Sequence, residues 1–149
     1  YFIPPGQRRI VMLAAQSDAP VLIVGAAGSG KGAIAKWIHD HGVRSSRGYV
    51  IANRDLPLLE QVIPAHGGTF VIPEIAERPL GEQRALFTFL SSKSVPHPKT
   101  PSTPMLLNVR VIALTSHSLD HRTQAGLFSE ELLKKLNVFR VEMPDLSKR

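Results

Sequence analysis

A glycine-rich turn between a continuous apolar run and a helical segment constrains this chain more than any other feature. The run from Val21 to Val24 has no polar residue, which is typical of a strand buried on both faces of a parallel sheet. The next seven residues, Gly25 to Lys31, match the pattern G-x-x-x-x-G-K. Glycines at this spacing let consecutive backbone N–H groups curl around phosphate oxygens, and the following helix adds its own unpaired N–H groups. The sequence therefore predicts a phosphate-binding loop at the end of a buried strand.

This loop is expected to hold the phosphates of a nucleotide through its backbone, with the ammonium of Lys31 on the β and γ phosphates. Position 32 is Gly, where most loops of this kind carry Ser or Thr to reach Mg²⁺. The difference weakens metal binding and leaves the phosphate cradle intact. The predicted nucleotide-binding residues are Gly25, Ala26, Ala27, Gly28, Ser29, Gly30, Lys31 and Gly32.

Apolar spacing elsewhere predicts strands that alternate with helices. Further strands are expected at 49–52, 69–72, 109–114 and 138–141, and helices at 6–15, 31–41, 79–90 and 130–136. A short helix over 56–63 is expected to end at Pro64, and four prolines between Ser94 and Pro104 predict a loop with no core of its own. The alternation predicts an α/β fold with a parallel sheet.

Composition limits the classes of protein to which the chain can belong. Its 149 residues suit one globular domain, and the absence of cysteine excludes disulfides and thiolate metal sites. No apolar run approaches the roughly 18 residues of a membrane-spanning helix, so we expect no membrane partner and a cytoplasmic location. The net charge of +6 permits phosphate or nucleic-acid partners, although the basic residues are scattered. Because the first residue is Tyr1, we expect a fragment of a longer protein.

Four stretches carry a resemblance to a known family: Asp-Ala-Pro-Val-Leu-Ile-Val-Gly at 18–25, Ala-His-Gly-Gly-Thr-Phe at 65–70, Val-Arg-Val-Ile-Ala at 109–113 and Leu-Asn-Val-Phe at 136–139. On these stretches the chain resembles, from about Gln7 to Arg149, the AAA+ central domain of sigma-54-dependent transcription activators, the bacterial enhancer-binding proteins. The resemblance implies a P-loop NTPase core over residues 1–149, a three-layer sandwich with a five-stranded parallel sheet. The helical lid of the family would begin after residue 149.

The same resemblance implies catalytic roles for residues outside the phosphate loop. Glu74 matches the glutamate that activates water, whereas Pro73 stands where the family has an aspartate that holds the Mg²⁺ shell. Asn53 matches the asparagine that switches this glutamate between states, and Ser116 matches the first sensor. Because proline supplies no carboxylate, Mg²⁺ is expected to bind only weakly.

The subunit-bridging arginines of the family are replaced in this chain by Ser129 and Lys135. Lys135 keeps a positive charge but lacks the bidentate fork of arginine. Between Asn53 and His66 the family inserts a Gly-Ala-Phe-Thr-Gly-Ala loop that grips sigma-54, and that motif does not occur here. We therefore expect that the domain does not remodel sigma-54 polymerase in the usual way, and contact with sigma-54 is doubtful.

These features lead to one principal hypothesis and two alternatives. The principal hypothesis is an ATP- or ADP-binding AAA+ module of a transcriptional or response regulator, with weak or absent hydrolysis. Such a module would associate with itself or with other AAA+ subunits and would reach DNA only through other domains. One alternative is an active ATPase that uses Glu74, with Glu77 or substrate-bound waters completing the metal shell, and the other is a nucleotide-independent interaction domain. His117 and His121 are four residues apart, but we interpret them as a surface pair, so no metal site is predicted.

Overall fold

The computed structural model describes residues 3–144, and its centre is a sheet of five parallel strands. In chain order the strands of the whole structure are β1 (Val21–Val24), β2 (Tyr49–Ile51), β3 (Thr69–Ile72), β4 (Ser94–Pro96), β5 (Pro104–Leu106), β6 (Arg110–Thr115) and β7 (Phe139–Glu142). The order across the main sheet is β2-β3-β6-β1-β7, while β4 and β5 form a separate antiparallel pair. The predicted α/β class with a five-stranded parallel sheet is thus confirmed.

Helices cover both faces of this sheet and complete three layers. They are α1 (Arg8–Ala15), α2 (Lys31–Asp40), α3 (Leu80–Ser92), α4 (Leu119–Gln124) and α5 (Glu130–Leu136), with single 3₁₀ turns at Pro5–Gln7, Leu59–Gln61, Ile63–Ala65 and Ile75–Glu77. Among the residues that the structure describes, no helix has the length and apolar character needed to cross a bilayer.

Side chains of β1, an inner strand of the sheet, alternate between two hydrophobic cores. In β1, Val21 and Ile23 pack with Ile34 and Ile38 of α2, in the core that α1 also covers. Leu22 points to the opposite face and joins the core that α3, α4 and α5 close. This burial on both faces explains why the run is apolar throughout.

Three local predictions were wrong. Helix α4 was not predicted, because Leu119 is its only buried residue and the segment shows no apolar period. The proline-rich stretch contains the hairpin β4–β5 rather than a bare loop, and Val95 inserts from it into the core. Pro64 does not end a helix but lies inside the 3₁₀ turn Ile63–Ala65, near the start of that turn, where its missing N–H is tolerated.

Buried polar side chains join the amino ends of the strands. Nε of Arg44 donates to Oδ1 of Asp18 at 2.9 Å, and its Nη2 donates to Oδ1 of Asn108 at 2.6 Å. Nδ1 of His39 lies 2.8 Å from Oγ1 of Thr69, the first residue of β3. These contacts hold together the segments that lead into β1, β3 and β6, at the edge of the sheet opposite the phosphate loop.

The register of the strands decides which residues meet at the carboxyl edge. Val24, the last residue of β1, pairs with Thr115 of β6, and Ile72 of β3 pairs with Ala113 of the same strand. The segments that follow β1, β3 and β6 therefore leave the sheet side by side. They carry the phosphate loop, Glu74 and Ser116.

Candidate functional site

The phosphate loop joins β1 to α2 through two glycines with positive φ. Gly28 has a φ of 79° and Gly30 has a φ of 97°, values that residues with a side chain rarely adopt. Gly30 directly precedes α2, so the helix begins at the left-handed residue. Residues 26–28 are exposed, whereas Gly25 and Ser29 on either side are buried. The chain thus has the strand, loop and helix arrangement that presents backbone N–H groups to an anion.

Lys31 lies within this loop rather than in solvent. Its side chain folds back so that Nζ donates to the carbonyl oxygen of Gly25 at 2.6 Å and to that of Ala26 at 2.9 Å. Only 8% of the residue is exposed. Burial lowers the pKa of the Lys31 ammonium, and the negative charge of Glu74 opposes that shift. A cation is therefore held in the loop, close to the Glu74 carboxylate.

Glu74 and Ser116 are brought into contact by the adjacency of β3 and β6. Oε2 of Glu74 accepts a hydrogen bond from Oγ of Ser116 at 2.8 Å and one from the Ser116 backbone N–H at 3.3 Å. Glu74 has left-handed backbone, with φ 45° and ψ 53°, which is uncommon for a residue with a side chain and clusters at functional sites. Pro73, which precedes it, contributes no oxygen from its side chain.

A second group of polar residues, not predicted as a unit, surrounds Glu77. Its Oε1 accepts from Nη2 of Arg54, and its Oε2 lies 3.5 Å from Nε2 of His117. The Arg54 hydrogen bond is the main cause that lowers the pKa of Glu77. Ligand-type atoms of Glu74, Glu77 and His117 all lie within 4.8 Å of one another. Within residues 3–144 this is the only group of three such residues, and it includes His117 without His121.

Asn53 directly precedes Arg54, which lines a cavity beside this group. The side-chain Oδ1 of Asn53 accepts from the backbone N–H of Asp55 at 2.9 Å, and the backbone carbonyl oxygen of Asn53 accepts from Nη2 of Arg78 at 2.9 Å. No hydrogen bond joins Asn53 to Glu74 in the part of the chain that the structure describes. The cavity has a volume of about 600 Å³ and is lined by Glu74, Glu77 and Arg78 among others.

Ser129 and Lys135 lie near opposite ends of α5. Oγ of Ser129 accepts from the backbone N–H of Leu132 at 3.2 Å and caps the start of α5. Lys135 is exposed near the end of that helix. It lines a cavity with Asp18, which precedes β1, at the amino edge of the sheet. Lys135 is therefore separated from Gly25–Lys31 by the length of the strands.

Comparisons with known proteins bear on this arrangement. A family model described as the Sigma-54 interaction domain matches residues 7–146. The response regulator protein FleR of Pseudomonas aeruginosa is 31% identical over 173 residues, which cover 99% of this chain and 36% of FleR. The DNA-binding transcriptional regulator NtrC of Escherichia coli K12 is 30% identical over 164 residues, which cover 95% of this chain and 35% of NtrC. The chain thus spans about a third of the length of these curated relatives.

Solved structures share the same fold. NtrX of Brucella abortus in complex with ATP superposes with a TM-score of 0.87 at 24% identity, over 97% of this chain and 37% of NtrX. The P-loop NTPase domain of a sigma-54 transport activator of E. coli has a TM-score of 0.70 at 20% identity, over 95% of this chain and 94% of that domain. At these identities the likeness establishes the fold, including the strand order that creates the carboxyl edge.

Proposed function

The chain belongs to the sigma-54 interaction domain family, and from this premise we propose that it is the ATP-binding module of a larger transcriptional regulator, with weak or absent hydrolysis. The observation that carries the proposal is the contrast between two parts of one site. The phosphate loop keeps its glycines and its buried lysine, while the neighbouring positions that serve Mg²⁺ and hydrolysis lack the required groups.

The loop fits the triphosphate of a nucleotide. Its middle is exposed, its two left-handed glycines carry no side chain that would fill the cradle, and Lys31 brings one positive charge. An added Cβ at Gly28 would meet no atom within 4 Å, so the space above the loop is open. NtrX has been crystallised with ATP and with ADP, which supports these nucleotides as ligands.

The residues at the usual Mg²⁺ positions do not fit that ion. Mg²⁺ in P-loop proteins is held by a Ser or Thr after the lysine and by an Asp at the end of a strand. These positions are Gly32 and Pro73 here, and neither supplies a side-chain oxygen. ATP should bind to the loop and Lys31 with little dependence on the ion.

Glu74 has the position of a general base but is already engaged. To activate water it would accept a proton on a carboxylate oxygen, and its Oε2 accepts two hydrogen bonds from Ser116. In the same chain no arginine stands at 129 or 135, and an arginine finger contributes about 10³-fold or more to turnover. Both features favour slow or absent hydrolysis.

Assembly is part of the proposal. Lys135 lies at the edge of the sheet opposite the phosphate loop, so in its own chain it cannot serve the bound nucleotide. In a ring or dimer it would face the loop of a neighbour. We propose association with further AAA+ subunits in the bacterial cytoplasm, with DNA contacted through other domains and no contact with sigma-54 through the missing loop.

Calorimetric titration with ATP, with and without Mg²⁺, tests nucleotide binding. The parent chain should bind ATP with nearly equal affinity in both conditions. Lys31→Ala should weaken binding about 10- to 150-fold, because it removes a hydrogen bond from a charged donor that contributes about 1.5–3 kcal/mol. Lys36→Ala, which removes an exposed charge from the same helix, is the matched control. Absence of binding at millimolar ATP would refute the proposal.

Phosphate release separates the alternatives. The expected result is a rate equal to that of buffer for the parent chain. A measurable rate that Glu74→Gln abolishes would establish the active ATPase instead. If added ATP and the Lys31→Ala substitution both leave thermal stability and oligomer size unchanged, the nucleotide-independent interaction domain is the better description.

A further inference from the structure

We propose that Glu74, Glu77 and His117 form a binding site for a divalent transition-metal ion such as Zn²⁺. The site goes beyond the proposed function, because its ligands are protein side chains and it needs no nucleotide. Two carboxylates and one imidazole are a common donor set for such ions. Ligand-type atoms of all three residues lie within 4.8 Å of one another.

The observed distances suit a shared ion. Two donors that each lie about 2.0–2.1 Å from a tetrahedral Zn²⁺ are separated by about 3.4 Å. Nε2 of His117 and Oε2 of Glu77 are 3.5 Å apart. Closing the remaining separations to about 3.4 Å requires side-chain movements of about 1 Å, and Glu77 is exposed enough to make them.

Hydrogen bonds from Thr115 and Ser116 position two of the three ligands in advance. Oγ1 of the buried Thr115 accepts from the backbone N–H of His117 and donates to the carbonyl oxygen of the same residue, each at 3.0 Å. Glu74 is held by the two hydrogen bonds from Ser116. Only Glu77 has to change its partner when a metal binds. Such outer contacts are what a metal site uses to orient its ligands.

The partner that the metal would displace is weakly held. Arg54 and Glu77 form an ion pair in which 55% and 45% of the side chains are exposed. Exposed ion pairs contribute little to stability, and this is small beside the affinity of a three-ligand transition-metal site. The Arg54 guanidinium thus compensates the Glu77 charge in the metal-free chain and leaves when the cation binds.

Nitrogen ligation decides the class of the ion. Mg²⁺ prefers oxygen ligands in octahedral geometry, whereas imidazole suits Zn²⁺ and its first-row neighbours. Three protein ligands leave at least one position on the ion for water or another oxygen ligand. The site therefore differs in chemistry from the usual Mg²⁺ site of P-loop proteins, whose side-chain oxygens are missing here because Gly32 and Pro73 occupy those positions.

The test is a titration of the metal-free chain, without a polyhistidine tag and without nucleotide, with Co²⁺ as the probe. Binding is followed by the visible absorption of coordinated Co²⁺ and by competition with Zn²⁺. The expected result is one saturable site per chain from which Zn²⁺ displaces Co²⁺ and Mg²⁺ does not. Glu77→Gln and His117→Ala should each weaken binding about tenfold or more, since even outer-shell changes cost about 10- to 100-fold.

Two matched variants control for nonspecific loss. His121→Ala removes a histidine four residues from His117, and Glu82→Gln removes a carboxylate that lines the same cavity as Glu77. Both should bind Co²⁺ as the parent chain does, and unfolding curves should show that all four variants are folded. The inference is overturned if the parent shows no saturable binding, if Glu77→Gln and His117→Ala bind like the parent, or if His121→Ala weakens binding equally. Because nucleotide is absent throughout, this result is separate from the ATP titration.

Discussion

Replacing Gly25 by alanine should destabilise the fold by about 1–3 kcal/mol, although alanine is usually the more favourable residue. A Cβ at this position would lie 2.6 Å from Oγ of Ser29 and 2.7 Å from Cβ of Met143. The Ser29 hydroxyl can rotate away, but the Cβ of Met143 is fixed to its backbone. Ordinary contact begins at 3.4 Å, so the segments after β1 and β7 would have to separate by about 0.7 Å.

That separation strains a specific link. The backbone N–H of Met143 donates to the carbonyl oxygen of Val24 at 2.7 Å and extends the pairing of β1 with β7. At about 2–4 °C per kcal/mol for a chain of this size, the melting temperature should fall by about 2–12 °C. Thermal unfolding followed by circular dichroism measures the change directly.

Gly32→Ala is the control, because an added Cβ there meets no atom within 4 Å and the residue lies in the first turn of α2. This variant should gain about 0.5–1 kcal/mol from reduced chain entropy and improved helix propensity. If Gly25→Ala melts at or above the parent temperature, the packing of the loop against the segment after β7 is not as described. A loss of stability in both variants would instead mean that any side chain added to this loop destabilises the fold.

Three further predictions concern the remainder of the fold. Thr69→Val should cost about 1–3 kcal/mol in urea unfolding, because it leaves the buried imidazole of His39 without its 2.8 Å partner; an unchanged midpoint would contradict this. Ser129→Ala should cost about 0.5–2 kcal/mol by removing the cap of α5, and a thermal midpoint equal to that of the parent would show that the cap is not needed. The hydrogen bond from Arg44 lowers the pKa of Asp18 in the folded state. The ionised Asp18 therefore stabilises the fold at pH values above its unfolded-state pKa. This stabilisation is lost as the pH falls through the lowered folded-state pKa. Asp18→Asn should therefore reduce the free energy of unfolding at neutral pH by no more than about 1 kcal/mol, because 58% of the Asp18 side chain is exposed. In strong acid the substitution should make little difference. An equal loss of stability at both pH values would refute the linkage.

The strands that lie inside the sheet were predictable because burial on both faces requires a continuous apolar run, which is easy to find in the sequence. The runs at 21–24 and 69–72 match β1 and β3 to the residue. Helix α4 has no comparable apolar pattern, because only Leu119 is buried in it. The hairpin β4–β5 has one core residue, Val95, among prolines that otherwise indicate a loop.

The site was predictable where it is local in sequence and not where it depends on strand order. The phosphate loop is one continuous motif, so its residues could be named in advance. The grouping of Arg54, Glu77 and His117 requires that β3 lies beside β6, and hydrophobic periodicity does not encode which strands are neighbours. The burial of Arg44 was likewise unpredictable, since arginine is mostly exposed unless several partners satisfy it.

The position of β1 between β6 and β7 has a consequence for biosynthesis. Of the seven strands that the structure describes, β1 is the first to be synthesised, yet its two neighbours, β6 and β7, are the last. Until residues up to Thr115 have emerged, β1 has two unpaired edges. Until residues up to Glu142 have emerged, its second edge stays unpaired and the phosphate loop has no wall on the side of Met143. Such non-local pairing is slow to form and exposes surfaces that aggregate. Under the proposed function, nucleotide would therefore engage the nascent domain only after β7 has emerged, and it would act as a late check on folding rather than as a template for it.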